Sequence, residues 1–278
     1  VGGTFALRAA TTLFANYAEG FRTPSAIELA CADAAHPCAG VPSAFSSDPP
    51  LQGVIARNAE AGARGRLADG INWRLAIFHS TLANDILFHQ SSLATGYFSN
   101  VGTTRRQGAE LSLEGTHGAF DYSAAATLLD ASYRTAFEVA NGANAGSVCP
   151  GPGCVPVRPG DRIPGIPRVS GKLALGYRSG ERQRVELQVQ AQAAVFARGD
   201  ENNFASQGRI PGFLTAHAAW DYRIDDTWDL NLSASNLFDR RYATFGMLAA
   251  NNLRGGVAEN FWGVAQPRVV FVSLKAVL

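Results

Sequence analysis

The sequence predicts an all-β fold: an antiparallel meander of about eleven strands that forms part of a transmembrane β-barrel. Three observations carry this. Apolar and polar residues alternate with period two, most cleanly from Arg184 to Phe196, where Val185, Leu187, Val189, Ala191, Ala193 and Val195 share one side. Arg184, Glu186, Gln188, Gln190 and Gln192 share the other, and that period means extended strand, not helix. Connections alternate between short and long; in an antiparallel meander this puts every short turn at one end, as in outer-membrane barrels. Tyr177, Trp220 and Tyr222 lie on apolar faces beside short turns, and Phe120 and Tyr122 open the strand after one, where an interfacial aromatic girdle belongs.

Composition sets the bounds. At 278 residues and 46% hydrophobic content the chain is large enough for a core and too apolar for gross disorder. No window approaches the roughly 18 apolar residues of a membrane helix, and a barrel would not show one. A net charge of +1 offers no basic field, so no nucleic-acid partner is expected. All but Lys172 and Lys275 of the 24 basic residues are arginine, a compositional bias. Four cysteines form two close pairs, Cys31 with Cys38 and Cys149 with Cys154, inside Pro/Gly-rich stretches. Such pairs predict two local disulfides and an oxidising compartment. Zinc is disfavoured, because only His36 accompanies a pair and the spacings match no common zinc pattern.

In chain order, Phe5 to Arg8 predicts a strand and Ala9-Ala10-Thr11 a turn into Leu13 to Glu19. A long segment from Gly20 to Gly53 has no sustained period. Alternation returns at Arg57, Ala68-Asp69-Gly70 turns the chain, and Ile71 to Leu82 alternates with a change of parity that predicts a bulge near His79. After a less regular stretch to Arg106, Gln107 to Thr116 pairs through His117-Gly118-Ala119 with the strand from Phe120. A second long excursion, Thr135 to Pro167, holds six of the thirteen prolines. Arg168 to Tyr177 turns through Ser179-Gly180-Glu181 into the Arg184 strand, and Arg198 to Pro211 reads as a polar loop. Leu214 to Tyr222 and Leu230 to Ala234 flank a short turn at Asp225-Asp226, and Asp239 to Pro267 leads to a last strand, Arg268 to Leu278.

The direction of the strands gives an expectation about completeness. The first strand enters from the long-loop side and the last ends on the short-turn side, whereas a single-chain bacterial outer-membrane barrel has an even strand number. Strands preceding Val1 are therefore expected, and the sheet alone would present two unpaired edges to lipid.

Five strings, read together, resemble the C-terminal half of a TonB-dependent outer-membrane receptor. They are the run Tyr17 to Pro24, which contains Gly20; Asn100 to Glu110, with Gly102 and Gly108; Gly160 to Arg168; Arg198 to Asn203; and Asn236 to Tyr242, with Asp239. The resemblance covers nearly the whole chain, residues 1–278 being read as one barrel portion without plug or first barrel half. It implies a barrel of about 22 strands in the outer membrane of a Gram-negative bacterium, filled by an N-terminal plug. It further implies uptake of a scarce small molecule or metal chelate such as a ferric siderophore, haem or cobalamin, with energy passed from TonB. The partners implied are outer-membrane lipid, the TonB complex through the plug, and that ligand. The family's usual aromatic C-terminus is replaced here by Val277-Leu278.

The motif residues carry structural expectations. Gly20, Gly102 and Gly108 relax the backbone where strands meet loops, Pro24 and Pro167 stop pairing, and Asn236 and Asp239 bond locally at a strand end. Arg105, Arg106, Asp200 and Glu201 fall near the long-loop rim as candidates to meet an anionic ligand or its metal, against a plainer reading as solvated rim charge. His79, His89 and His217 are isolated, and His89 is the candidate haem ligand. No Gly-x-Ser-x-Gly elbow, His-Glu-x-x-His or phosphate-cradling glycine loop is present, so neither catalysis nor a resident cofactor is expected. A passive porin or autotransporter-type barrel, lacking the plug, and a soluble β-sandwich are the alternatives.

Overall fold

The computed structural model describes residues 1–33, 38–39, 51–67, 70–90, 95–146 and 154–276. Eleven strands make one antiparallel sheet: β1 (Gly2–Arg8), β2 (Thr11–Arg22), β3 (Val54–Arg66), β4 (Asn72–Ala83), β5 (Thr104–His117) and β6 (Phe120–Tyr133). It continues through β7 (Val169–Ser179), β8 (Gln183–Gln192), β9 (Phe213–Arg223), β10 (Trp228–Ser235) and β11 (Val269–Ala276). Each strand pairs with the next in chain order without a crossover.

Cross-strand pairing shows why the alternation matters. One row runs Ala63, Leu75, Leu111, Ala126, Gly171, Ala191, Leu214, apolar from β3 to β9. The row beside it runs Arg64, Arg74, Ser112, Ala125, Lys172, Gln190, Thr215, mostly polar. Paired residues share a face, so the sheet has an apolar and a polar side. The apolar side is uncovered: Leu75 is 47% exposed, Leu187 45% and Val272 71%. A continuous bare apolar sheet face is the surface a barrel turns to lipid.

The short connections collect at one end. Gly118 (φ 57°) and Gly180 (φ 65°) take left-handed conformations in two of them, where a side chain would be strained. In a third, Asp225 accepts hydrogen bonds from the backbone N–H groups of Thr227 and Trp228. Beside these turns the rings of Phe120 and Tyr177 lie 4.9 Å apart and those of Trp220 and Tyr222 5.6 Å apart. The aromatic girdle therefore sits at the short-turn border of the apolar face.

The long connections have structure of their own. After β2 comes a short helix α1 (Ala26–Ala30), and residues Cys38–Ala39 pair with Thr95–Asn100, which pairs in turn with Ile86–Gln90. Phe137–Ala140 pairs with Cys154–Val157, and Ala243–Asn251 with Val257–Val264.

Four expectations are corrected by pairing. The Arg184 strand ends at Gln192, and Val195 leaves the lipid face to bridge Ile210 in a buried loop cluster. No bulge occurs near His79; β4 keeps unbroken register with both neighbours, and its parity change arises because Phe78 lies on the polar side, over Gly108. Gly20 still belongs to β2, two residues before its end, and has open space at its Cβ position, so nothing around it requires glycine. Gly108 is mid-strand: a Cβ there would come 1.9 Å from the Leu128 carbonyl oxygen, so close approach between strands, not a loop junction, requires it. Ala68, Asp69, His36, Cys149, Val277 and Leu278 lie outside the described residues.

Candidate functional site: the polar face and the long loops

The polar side of the sheet is laced by opposite charges placed across neighbouring strands. Asn16 donates to Glu60 at 2.9 Å, and Arg74 pairs with the same carboxylate. Arg64 and Arg74 lie 5.9 and 5.0 Å from the centroid of Phe14, which stands opposite Gly62. Nearer the short turns Arg184 bonds Asp121 at 2.8 Å and Glu186 at 2.6 Å, Arg178 reaches Asp121 at 3.3 Å, and Asn231 donates to Asp221 at 2.7 Å. A lumen lined this way is wet and polar without a dominant sign of charge.

Above it the long loops pack on one another. Val101, Ala131, Tyr133, Val139, Val155, Val157 and Ile163 form one buried cluster; Ala143, Val195, Ala197, Ile210, Ala243 and Leu248 form another. Buried asparagines tie the loops together. Asn141 donates to the carbonyls of Gly199 (2.8 Å) and Leu248 (3.2 Å), Asn144 donates to Gly199 O (3.1 Å) and to Asn202 Oδ1 (2.8 Å). Asn203, left-handed at φ 56°, accepts from Arg162 N at 2.6 Å and donates to Arg162 O at 2.9 Å. Sequence reading passed over Asn141 and Asn144, which carry no local pattern.

Asp200 and Glu201 belong to this packing and are not solvated rim charges. They are 2% and 5% exposed. Asp200 accepts from Ala205 N at 3.1 Å and Glu201 from Gly199 N at 3.0 Å. Burial pushes the Asp200 carboxyl up to about 6 and Glu201 up to about 7, because a charge there loses its water.

Arg105 and Arg106 face opposite ways. Arg105 stands on the apolar side of β5 and bonds Asp130 at 3.1 Å, whereas Arg106 donates to Thr104 Oγ1 (2.9 Å) and Asp85 Oδ2 (3.2 Å). Thr104 donates to the same Asp85 oxygen at 2.6 Å, closing a triad in which Thr104 and Asp85 are buried and Arg106 is half-buried. Neither arginine is brought near Asp200 and Glu201 as one site.

His89 is 2% exposed, its Nε2 2.8 Å from Ser99 Oγ and its ring against Tyr97 and Phe137. Its Nδ1 has no partner, and burial pulls its pKa down to about 4. A haem iron would have to open this hairpin to reach either nitrogen, so the packed histidine is the better description.

The remaining motif residues hold strand ends. Asn100 accepts from Gln52 N (2.8 Å) and donates to Asn84 O (2.7 Å), joining two loops. Gly102 is left-handed (φ 73°) against the Thr135 side chain. Glu110 is exposed on the polar side of β5, without a partner among the described residues. Asn236 (φ 53°) accepts from Arg240 N (3.0 Å) and donates to the carbonyls of Arg240 (2.9 Å) and Gln266 (3.2 Å). Asp239 (φ 49°) accepts from Arg268 N at 2.9 Å. The Tyr242 ring lies 4.4 Å from Phe213. Pro24 follows the end of β2, where Ser25 caps α1 and Glu28 closes a capping box while taking Arg22 in two bonds of 2.8 and 2.9 Å. Ser25-Ala26-Ile27-Glu28 is a legible capping-box signal that the sequence reading missed. Cys31 is bonded to Cys38, Cα atoms 5.5 Å apart, and Cys154 is also disulfide-bonded.

A family model described as "TonB dependent receptor-like, beta-barrel" matches residues 1–237. The siderophore receptor PiuA from Acinetobacter baumannii is similar at 19% identity and TM-score 0.69, over 99% of this chain and 35% of that one. The ferric yersiniabactin uptake receptor FyuA from Yersinia pestis is similar at 16% identity and TM-score 0.68, over 100% of this chain and 37% of that one. The copper transporter OprC is similar at 16% identity and TM-score 0.70, over 99% and 39%. This chain thus spans little more than a third of the length of those structures, and the likeness to them concerns the fold. With the bare apolar face, the one-ended turns and a family match over most of its length, the chain belongs to the TonB-dependent receptor β-barrel family of Gram-negative outer-membrane transporters, which are not enzymes.

Proposed function

We propose that this chain is the C-terminal barrel portion of a receptor that takes up a scarce ligand, a ferric siderophore, haem, cobalamin or similar chelate, by TonB-dependent transport. The observation that carries this reading is the cross-tied cap of long loops standing over a polar wall. A passive porin has no need of loops locked to one another by buried asparagines, whereas a receptor that selects a rare ligand needs a shaped mouth. The names of the similar structures, a siderophore receptor and a copper transporter, support a metal-bearing ligand. In this reading the plug and the TonB-contact segment lie upstream, and residues 1–278 alone transport nothing.

The test is complementation of a receptor deletion by the full-length gene and by residues 1–278 behind a signal peptide, with uptake of radiolabelled ferric siderophores, haem and cobalamin measured with and without TonB. TonB-dependent uptake of one ligand by the full-length protein, and none by residues 1–278, is expected. TonB-independent uptake by the full-length protein would replace the reading with a porin.

A further inference from the structure

Toward the long loops the apolar face changes character along one cross-strand row. Glu19 pairs with Arg57, Arg57 with Thr81, Thr81 with Arg105, Arg105 with Ser132, and Ser132 bridges Arg162. Further along the same strands, and on the same face, stand Ile77, Ala109, Leu128 and Val169. The row therefore marks the upper border of the lipid-facing surface.

Its charges are unevenly answered. Glu19 accepts from Arg57 at 2.9 Å and Asp130 from Arg105 at 3.1 Å. Among the described residues the Arg162 guanidinium donates only to the Ile166 carbonyl, at 3.4 Å, and lies 5.7 Å from the centroid of Phe196; Arg209 lies 4.4 Å over the same ring. Among the described residues no carboxylate pairs with Arg162, Arg168 or Arg209. These three arginines line one groove of about 750 Å³ together with Asp130, Leu128 and Val169. Burial, and then the nearness of Arg168 and Arg209, hold the Arg162 pKa below the usual arginine value. Ser132, 1% exposed, has a hydroxyl without a partner, and the Nε atoms of Arg105 and Arg162 are also unpartnered.

Three guanidinium groups crowd the edge of a hydrocarbon-facing surface without a carboxylate in ion-pair contact; Arg168 and Arg209 are exposed and repel Arg162, which is half-buried and partly stripped of water, against the weaker attraction of Asp130. An anion carrying its own apolar tail relieves both costs. Phosphate matches the guanidinium fork in charge and geometry, and acyl chains cover Leu128 and Val169. We infer that this groove binds the phosphate-bearing headgroup of an outer-leaflet glycolipid, its acyl chains lying along the apolar strands below. The inference needs only the outer-membrane location and is independent of which ligand is transported.

The experiment uses the full-length receptor in nanodiscs, with bisphosphorylated lipid A as probe and native mass spectrometry as readout. The pair Arg162→Gln and Arg209→Gln is expected to weaken binding about thirtyfold, and dephosphorylated lipid A to bind as weakly to the unaltered protein. Arg162→Lys with Arg209→Lys, which preserves the charge, is expected to retain more affinity than the glutamine pair, and Arg223→Gln near the short turns to change nothing. Heat-modifiable gel mobility establishes that each variant is folded, and uptake measured in the same strains is expected to be unaltered. Wild-type lipid affinity in the glutamine pair overturns the inference. So does competition by inorganic phosphate as effective as that by lipid A, or loss of uptake with lipid binding intact, which would assign the groove to the transport path.

Discussion

At the scale of single residues, the loop cap depends on polar groups that are buried and satisfied. Asp200 and Glu201 illustrate the cost, since each carboxyl is held above its ordinary value by burial. A carboxyl whose pKa is raised in the folded state favours folding below its unfolded value and loses that contribution as pH rises through the folded value. The window thus runs from about pH 4 to about pH 7. Hydrogen exchange across residues 195–210, corrected for intrinsic rates, is expected to show more opening at pH 8 than at pH 5. Glu201→Gln should flatten that dependence, a difference on the order of 1 to 3 kcal/mol. Equal protection at both pH values would contradict the assignment. Glu28 has the opposite sign, its pKa pulled down to about 2 chiefly by the Arg22 hydrogen bonds; its contribution is present above pH 4.5 and lost toward pH 2.

At the scale of elements, the barrel wall is built from strands whose register leaves little tolerance. Gly108 stands across from Phe78 on β4 and Leu129 on β6, and the Leu128 carbonyl fills the space a side chain would take. Gly108→Val should therefore strain the β5–β6 pairing by about 1 to 3 kcal/mol, seen as a lower midpoint of urea unfolding in bilayers, whereas Gly118→Ala, with open space but φ 57°, should cost less. An unaltered midpoint for Gly108→Val would show that the strands can separate locally without penalty. Gly20 marks the contrast, a motif glycine whose neighbours demand no glycine.

At the scale of the whole molecule, the apolar face is the surface that decides how the protein lives. Leu187 and Leu232 are on that face, Gln188 and Asn231 on the other. Cysteine replacements at the first two positions of the full-length receptor, spin-labelled in bilayers, should respond to oxygen as an apolar quencher. Those at the last two should respond to an aqueous nickel chelate. The reverse pattern would place the apolar face inside a soluble core and remove the membrane assignment.

The division between what was legible and what was not follows from the range of the forces involved. Period-two alternation, turn glycines and one-ended aromatics are local, and they determined the all-β class, the eleven strands, which side meets lipid and the family. Strand limits were less legible, because β8 stops at Gln192 where Val195 turns to bridge Ile210, fifteen residues on in the same connection, and both join a buried cluster with residues of other loops. The surroundings of the rim candidates were not legible for the same reason. Arg105 and Arg106 are neighbours in sequence, yet pleating sends one to the Asp130 side and the other to Asp85. Asp200 and Glu201 look solvated until loops from three parts of the chain close over them, bound through Asn141 and Asn144. Sequence by itself determined the strand pattern, since each residue's face depends only on its place in the period. Tertiary structure alone decided which charges are buried, paired or left unanswered, since desolvation and cross-strand contact depend on residues far away along the chain.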